Sequence, residues 1–547
     1  MCDPPLNIYT YDYQHSSVYM AIDRWISQMG TLRHTFVRGL KGFATHHGGT
    51  FDWCSGCSGS DLYSKVLRDF SNYIHDTFSI HLSFTTKFAC DNDRKVQKFL
   101  VSEFTAQDLP SVYDDLANLK ESRAKNIRSG SRELVKYANG FAVGFSCLSK
   151  TPLNSKRSTT TFCLQDPSST ESTTVTYRLS KAWLVKTRPS MAILENLATL
   201  DQKDVHDVDA VSDGEFIIND LRSADFAVIA INLNVKDYGS WPKRIRKHFI
   251  VMAGNTNANM HTLGLSRQFL EAMKGSWRQT AEDVLWSEER RMQFLRPMGK
   301  PTPESRNRPQ GGQWEDEHRV LFEHADMKWP PVLASAAGLS YEHMRDGRMK
   351  ECAFFYFQHF GTAPEYMGKR QAVDLHPTIS RGVGLGVNIK RADECLEGVV
   401  LKDPWSKGGD LPTITGTSRF LLRYKHSPDH QPVGRMLLGA EAMQAMGWDS
   451  TYWHEEELPD DAPRFDNELL GTMAGRAFSG FAFTPVVASI IAAIGVSLTH
   501  QADHASSAGD VPLSQESRHS TQDFFDMVPD ATIAGGEDDA NSSSESD

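Results

Sequence analysis

One thiol is singled out by its context in this 547-residue chain. The run Phe141-Ala142-Val143-Gly144-Phe145-Ser146-Cys147 is an apolar strand pattern that delivers Cys147 at its carboxyl end. A strand-end thiol beside a ligand cleft is a candidate nucleophile, because a thiolate attacks well without a strong base once its pKa is lowered. Burial as an inert thiol is the commoner fate of a lone cysteine. The next apolar run closes on Leu194-Glu195-Asn196-Leu197, which sets Glu195 beside Cys147 across adjacent strand tips. A carboxyl so placed can donate a proton to a bound base; taken alone, it reads equally well as a loop anchor.

A second constellation lies earlier. Phe51-Asp52-Trp53-Cys54-Ser55-Gly56-Cys57-Ser58-Gly59 ends a strand pattern and leads into a helix near Ser60-Asp61. Small residues at such a turn let backbone approach a ligand, and the helix start offers free amides to a carboxylate or phosphate; the bland reading is a tight turn. Asp91, closing the second strand pattern, is placed to accept hydrogen bonds from ribose hydroxyls, with a helix cap by Asp91 or Asn92 as the alternative. Asp115 could face an adenine amino group, or be a solvated loop acid. Cys54 and Cys57 imitate a zinc or redox pair, but no second cysteine pair completes four ligands, so no metal is expected.

These side chains need a scaffold. Short apolar runs at 50–54, 83–90, 141–147, 192–197, 226–233 and 248–253 alternate with helical patterns such as 61–73 and 94–104. Continuous apolar runs suit strands buried on both faces, and the alternation predicts a doubly wound, mostly parallel α/β sheet with ligands beyond the carboxyl ends of its strands. Residues 1–45 read as a helical preface, 46–254 as the main domain and 255–397 as a separate lobe rich in Trp, Met, Arg, Pro and Gly. The alternation resumes over 398–500, and 501–547 is an acidic, Ser-rich tail expected to be disordered.

Bulk composition narrows the classes. The net charge of −11 requires a nucleic-acid partner to be met by a local basic surface. Eight scattered cysteines do not make a disulfide framework, and the start of the chain has no signal-peptide pattern, so an intracellular setting is expected. The uncharged stretch 477–498 could span a bilayer by length, yet Pro485 and the lack of basic anchors favour a buried helix beginning near Pro485 and no membrane partner. Oligomeric state is not legible.

In order, the segments resemble the DNA (cytosine-5) methyltransferase family. Gly144-Phe145-Ser146-Cys147 is similar to its Gly-Phe-Pro-Cys, and Glu195-Asn196-Leu197 to its Glu-Asn-Val. Leu233-Asn234-Val235-Lys236-Asp237-Tyr238-Gly239-Ser240-Trp241-Pro242-Lys243-Arg244-Ile245-Arg246 is similar without gaps to Leu-Asn-Ala-x-Asp-Tyr-Gly-x-Pro-Gln-x-Arg-x-Arg. Arg435, Glu441 and Met446-Gly447-Trp448 repeat the spacing of a late Arg/Glu helix, and Ala474-Gly475-Arg476-Ala477-Phe478 stands where the family has Gly-Asn-x-Val. Ser146, Leu148, Asn92, Pro242 and Arg476 depart from the pattern.

The resemblance implies a Rossmann-like methyltransferase sheet with 255–397 as the target-recognition lobe. It implies S-adenosylmethionine as cofactor, held by Cys54, Gly56 and Gly59 at the methionine end, Asp91 at the ribose and Asp115 at the adenine. It implies double-stranded DNA as partner, and a nuclear location if the source is eukaryotic. Cys147 would attack a flipped cytosine, Glu195 would protonate or hydrogen-bond its ring nitrogen, and Arg244 and Arg246 would hold the base and a phosphate. Segment 155–176 would close over DNA, and Arg290, Arg291, Arg306, Arg308 and Arg370 could meet phosphates or guanines. Transfer RNA as the substrate, or a silent fold that only binds, are the competing readings.

Overall fold

The computed structural model describes residues 17–144, 172–201, 211–275, 277–295, 313–342, 344, 347–360, 362, 364–375, 405–406, 410–415, 418–448 and 467–507. Met1–Thr499 form one compact unit; of His500–Asp547, the part described is the helical stretch to Ser507. The tail beyond 507, including nearly all of the acidic segment, lies outside the described residues.

Seven strands build the main sheet: β1 (Thr50–Gly56), β2 (Ser83–Cys90), β3 (Val112–Tyr113), β6 (Gly140–Gly144), β7 (Met191–Leu197), β8 (Phe226–Asn234) and β9 (Ile245–Ala253). A hairpin of β4 (Arg123–Lys125) and β5 (Arg132–Leu134) leads into β6. The order across the sheet is β3-β2-β1-β6-β7-β9-β8, with β9 antiparallel to both neighbours and the other pairs parallel. The chain winds outward from β1 through β2 and β3, then returns to β6 on its other side. That reversal sets the topological switch point, where open α/β sheets bind their ligands, at the carboxyl ends of β1 and β6. This is the Rossmann-like methyltransferase sheet, and the sequence-predicted strands fall on it with their ends shifted by a few residues.

Both faces are covered because consecutive strand residues, which point to opposite faces, are apolar. Phe51, Trp53, Ala142, Ile193, Ala227 and Ile250 join one core; Cys54, Phe141, Val143, Leu194, Val228 and Phe249 join the other. The first face carries α1 (Ser17–Ser27), α2 (Leu32–His46), α3 (Leu62–Phe78) and α4 (Arg94–Glu103). Helices α5 (Ser172–Thr187) and α6 (Asp213–Ser223) contribute Tyr177, Trp183, Ile217 and Leu221 to the second. The preface is therefore part of the core: Ile22, Trp25, Phe36, Leu40 and Phe43 are buried in it, and burial is worth about 1.5–3 kcal/mol per large apolar side chain.

Helix α7 (Asn257–Ala272) also belongs to this core through Leu263, Phe269 and Leu270. The composition boundary at 255 therefore falls before a helix whose buried stripe is masked by polar neighbours. A third core lies further on, where α8 (Gln313–His324) and α9 (Gly347–His359) pack with an antiparallel sheet of β10 (Arg370–Asp374), β11 (Phe420–Tyr424) and β12 (Val433–Met436). Phe322, Phe355, Val373, Leu421 and Met436 fill it. The chain re-enters the main core through α10 (Gly439–Ala445). Arg435 at the exit of β12 grips the fully buried Glu441 at 2.7 and 2.9 Å, while the Leu438 amide, at 2.9 Å, donates to the same carboxylate.

Helices α11 (Asn467–Arg476) and α12 (Gly480–Ser507) close the fold. Helix α12 starts before the expected position and carries Pro485 within it. The stretch Asn467–Gln501 is long and apolar enough to cross a membrane, but 78% of its most apolar window is buried in the protein. Against α2 the backbones touch: a Cβ on Gly495 would lie 1.8 Å from the Gly39 carbonyl oxygen, so glycine is required there.

Candidate active site

The turn after β1 is made of small residues because its neighbours leave no room. A Cβ on Gly56 would come within 3.1 Å of Leu116 and 3.2 Å of Phe141. Gly59 has φ +55°, and a Cβ there would meet the Arg476 carbonyl oxygen at 2.8 Å. The Ser58 amide donates to the Cys90 carbonyl at 3.0 Å and the Cys90 amide to Ser58 Oγ at 2.9 Å, which ties the turn to the end of β2. Beneath it Asp61, fully buried and itself at φ +50°, accepts from Ser55 Oγ at 2.8 Å and from Ser64 Oγ. Burial pushes the Asp61 carboxyl up to about 7, against the pull of those two hydroxyls.

Asp91 faces this turn. Its carboxylate accepts from the Gly59 amide at 3.1 Å and the Asp93 amide at 3.0 Å, and burial raises its pKa. The two loops are thereby held together by one acid, which keeps lone pairs for a further donor. The cap of α4 is Asp93, accepting from the Lys95 amide at 2.8 Å, rather than Asp91 or Asn92. Arg476 pairs with Asp93 from the far side. Asp115 caps the single helical turn Leu116–Leu119 through the Ala117 amide at 2.8 Å, so one of its oxygens is engaged. Cys54 is buried, its thiol 3.5 Å from the Gly140 carbonyl oxygen. Burial pushes both Cys54 and Cys57 up, so each stays a thiol. Among the described residues no three His, Cys, Asp or Glu side chains gather to hold a metal ion.

Next along the sheet, Gly144 of β6 stands in register with Glu195 of β7. A Cβ on Gly144 would strike the Phe478 ring at 2.7 Å. Cys147 follows three residues on and lies, with Phe145, Ser146, Leu148 and 155–171, outside the described residues. Glu195 is buried, with Arg246 Nε at 3.3 Å and Arg244 Nη2 at 3.6 Å from one carboxylate oxygen. Arg244 also donates to the carbonyls of Ile414 (3.0 Å), Gly475 (3.3 Å) and Ala477 (3.1 Å). Its guanidinium thus ties Glu195 to the α11–α12 junction. Burial and the neighbouring Arg244 bring Arg246 down to about 9, with Glu195 opposing. His248, directly across from Glu195 in the β7–β9 register, is held down to about 4 by burial and is neutral.

The structure thus gathers Gly56, Gly59 and Asp91 around one turn, and Glu195, Arg244 and Arg246 around one carboxylate. Cys54 lies on the sheet face opposite to Trp53, within a core. Three further residues, Asp61, Tyr63 and His248, were not picked out by sequence. For His248 a signal exists: Arg246 and His248 stand two residues apart on one strand and so share a face. In the lobe, Arg291 is buried and paired with Glu288 at 2.6 Å and Glu342 at 3.1 Å, which removes it from a nucleic-acid surface. Arg370 pairs with Glu282 at 3.3 Å and lies over the Tyr424 ring, and Arg290 lies over Trp286. Arg306 and Arg308 are outside the described residues.

The sheet order and the turn after β1 define the class: a Rossmann-like methyltransferase fold with its topological switch point between β1 and β6. No protein-family model matches the sequence, and no curated protein matches it. Among solved structures the chain is similar to an S. pombe Dnmt2 methyltransferase at 11% identity, covering 81% of this chain and 98% of that one with a TM-score of 0.34. A protein described as a DNA modification methyltransferase encoded within an E. coli prophage gives 13% identity, 83% and 99% coverage and a TM-score of 0.35. The Entamoeba histolytica methyltransferase EhMeth gives 11%, 81% and 98%, and 0.33. The fold assignment rests on the sheet's own topology.

Proposed function

We propose that this chain is a divergent DNA (cytosine-5) methyltransferase. The observation that carries the reading is that the carboxyl ends of nearby strands carry Glu195 on β7, gripped by Arg244 and Arg246, and, two strands away on β1, the glycine turn pinned by Asp91. Gly56, Gly59 and Asp91 fit S-adenosylmethionine: the turn has no room for side chains, and Asp91 retains acceptor capacity for ribose hydroxyls. Bound there, the cofactor supplies an electrophilic methyl group. Asp115 would take the adenine amino group with its remaining oxygen.

Cys147 would add its sulfur to carbon-6 of a cytosine extruded from the duplex, an extrusion that costs a few kcal/mol. Electron density then reaches carbon-5, which would bond the methyl group as the carbon–sulfur bond breaks and the cofactor leaves as its neutral thioether. Glu195, protonated, would donate to ring nitrogen-3 and accept from the neighbouring amino group, with Arg246 balancing the carboxylate once its proton has passed to the ring. Loss of the carbon-5 proton and of the thiol restores the enzyme. The further core built by α8, α9 and β10–β12 supports duplex DNA as substrate, since reading a duplex needs surface beyond the catalytic sheet.

Incubation with a duplex bearing 5-fluorocytosine and with the cofactor should give a covalent complex that Cys147→Ser does not form. Methyl transfer to transfer RNA in preference to duplex DNA would reassign the substrate. Wild-type methyl transfer by Cys147→Ser would remove the nucleophile.

A further inference from the structure

Tyr63 stands on the first turn of α3, just past the glycine turn. Its ring is wedged between Phe478 and Phe483, with centroids 4.5 and 4.6 Å away, and Phe478 in turn lies on Gly144 at the tip of β6. The side chain is 1% exposed, and its hydroxyl has no hydrogen-bond partner among the described residues. A buried phenol without a partner is costly to the fold, so such groups call for an explanation in a ligand. The ring thus stands between the glycine turn after β1 and the tip of β6. The adenosine-facing acids lie the other way, on β2 and beyond β3.

We propose that the Tyr63 hydroxyl is a ligand contact, hydrogen-bonded to the amino-acid end of a bound adenosyl cofactor where that end lies between the β1 turn and the tip of β6. The inference rests on the methyltransferase reading and adds a residue to it. A phenol suits this ligand end because it can donate to a carboxylate or accept from an ammonium.

The test is calorimetric titration of the full chain and of Tyr63→Phe with two probes: S-adenosylhomocysteine, and 5′-methylthioadenosine, which lacks the amino-acid end. The variant should bind the first about 10-fold more weakly and the second within about 2-fold of wild type. Its melting midpoint without ligand should be equal or higher, because a buried, unpartnered hydroxyl has been removed. Unchanged binding of both probes, equal loss for both, or a lower ligand-free midpoint would overturn the assignment while leaving the enzyme reading in place. Failure of the wild type to bind either probe would instead overturn the cofactor itself.

Discussion

At the β1–β2 end of the candidate site, Asp61 is buried among hydroxyls and holds its proton up to about 7. At the β7–β9 end, Glu195 is buried among two guanidiniums and the neutral imidazole of His248. The first end removes charge to keep a turn rigid. The second concentrates charge around one carboxylate. The difference matches the parts each would play: a cradle must hold its shape, whereas an acid facing a reacting ring must meet charge that moves.

The largest effect is expected where charge is concentrated. Glu195→Gln should lower methyl transfer by about 10²–10⁴-fold while still binding cofactor, measured as single-turnover rates with saturating cofactor. Activity within a few-fold of wild type would assign Glu195 to the fold alone. Glu195→Ala should in addition cost roughly 3–5 kcal/mol of stability, since Arg246 and Arg244 would lose their buried counter-charge.

A second pair of variants sharpens the contrast through pH. Asp61 is raised from 3.8 to about 7, so the folded state binds the extra proton and stability from this group is lost as pH climbs from about 4 to 7. His248 is lowered from 6.5 to about 4, so its contribution is lost as pH falls through that window. Between about pH 4 and 6.5 the two slopes oppose each other. Asp61→Asn should therefore uncover a loss of stability on acidification, and His248→Phe a loss on moving towards neutrality, each up to about 3 kcal/mol across the window. Urea unfolding at several pH values reads both; identical profiles for the two variants would mean that the ends do not differ in this way.

The smallest effect belongs to the exposed strap between the ends. Arg476→Ala breaks the pair with Asp93, whose partners are partly solvated, and should cost under about 1 kcal/mol in thermal unfolding. A larger loss would mean that the Arg476 side chain, and not only its backbone against Gly59, holds the cradle.

How far the sequence carries this reading differs between the two ends. The cradle was legible: Gly56, Gly59 and Asp91 follow strand patterns whose apolar runs end where the structure ends them, give or take two residues. The strands were legible for the same reason, because burial on both faces forces an unbroken apolar run. Asp61 and Tyr63 were not, since a lone acid and a lone phenol at a helix start carry no periodic signal. Arg244 and Arg246 were found only through the resemblance of the segment around them, and the resemblance does not say that Arg244 spends its guanidinium on the carbonyls of Ile414, Gly475 and Ala477.

The sequence by itself determined the periodicity: which residues alternate between two faces, where each strand stops, and hence which side chains stand at the tips. Tertiary structure alone decided which tips are neighbours. The order β1-β6-β7-β9 brings Glu195 against His248 and Arg246 across antiparallel strands, and the α11–α12 junction lays Phe478 on Gly144. The physical reason is range: periodicity follows from local backbone geometry and solvent, whereas strand order and helix docking follow from contacts tens to hundreds of residues apart, which leave no mark on any short stretch of chain.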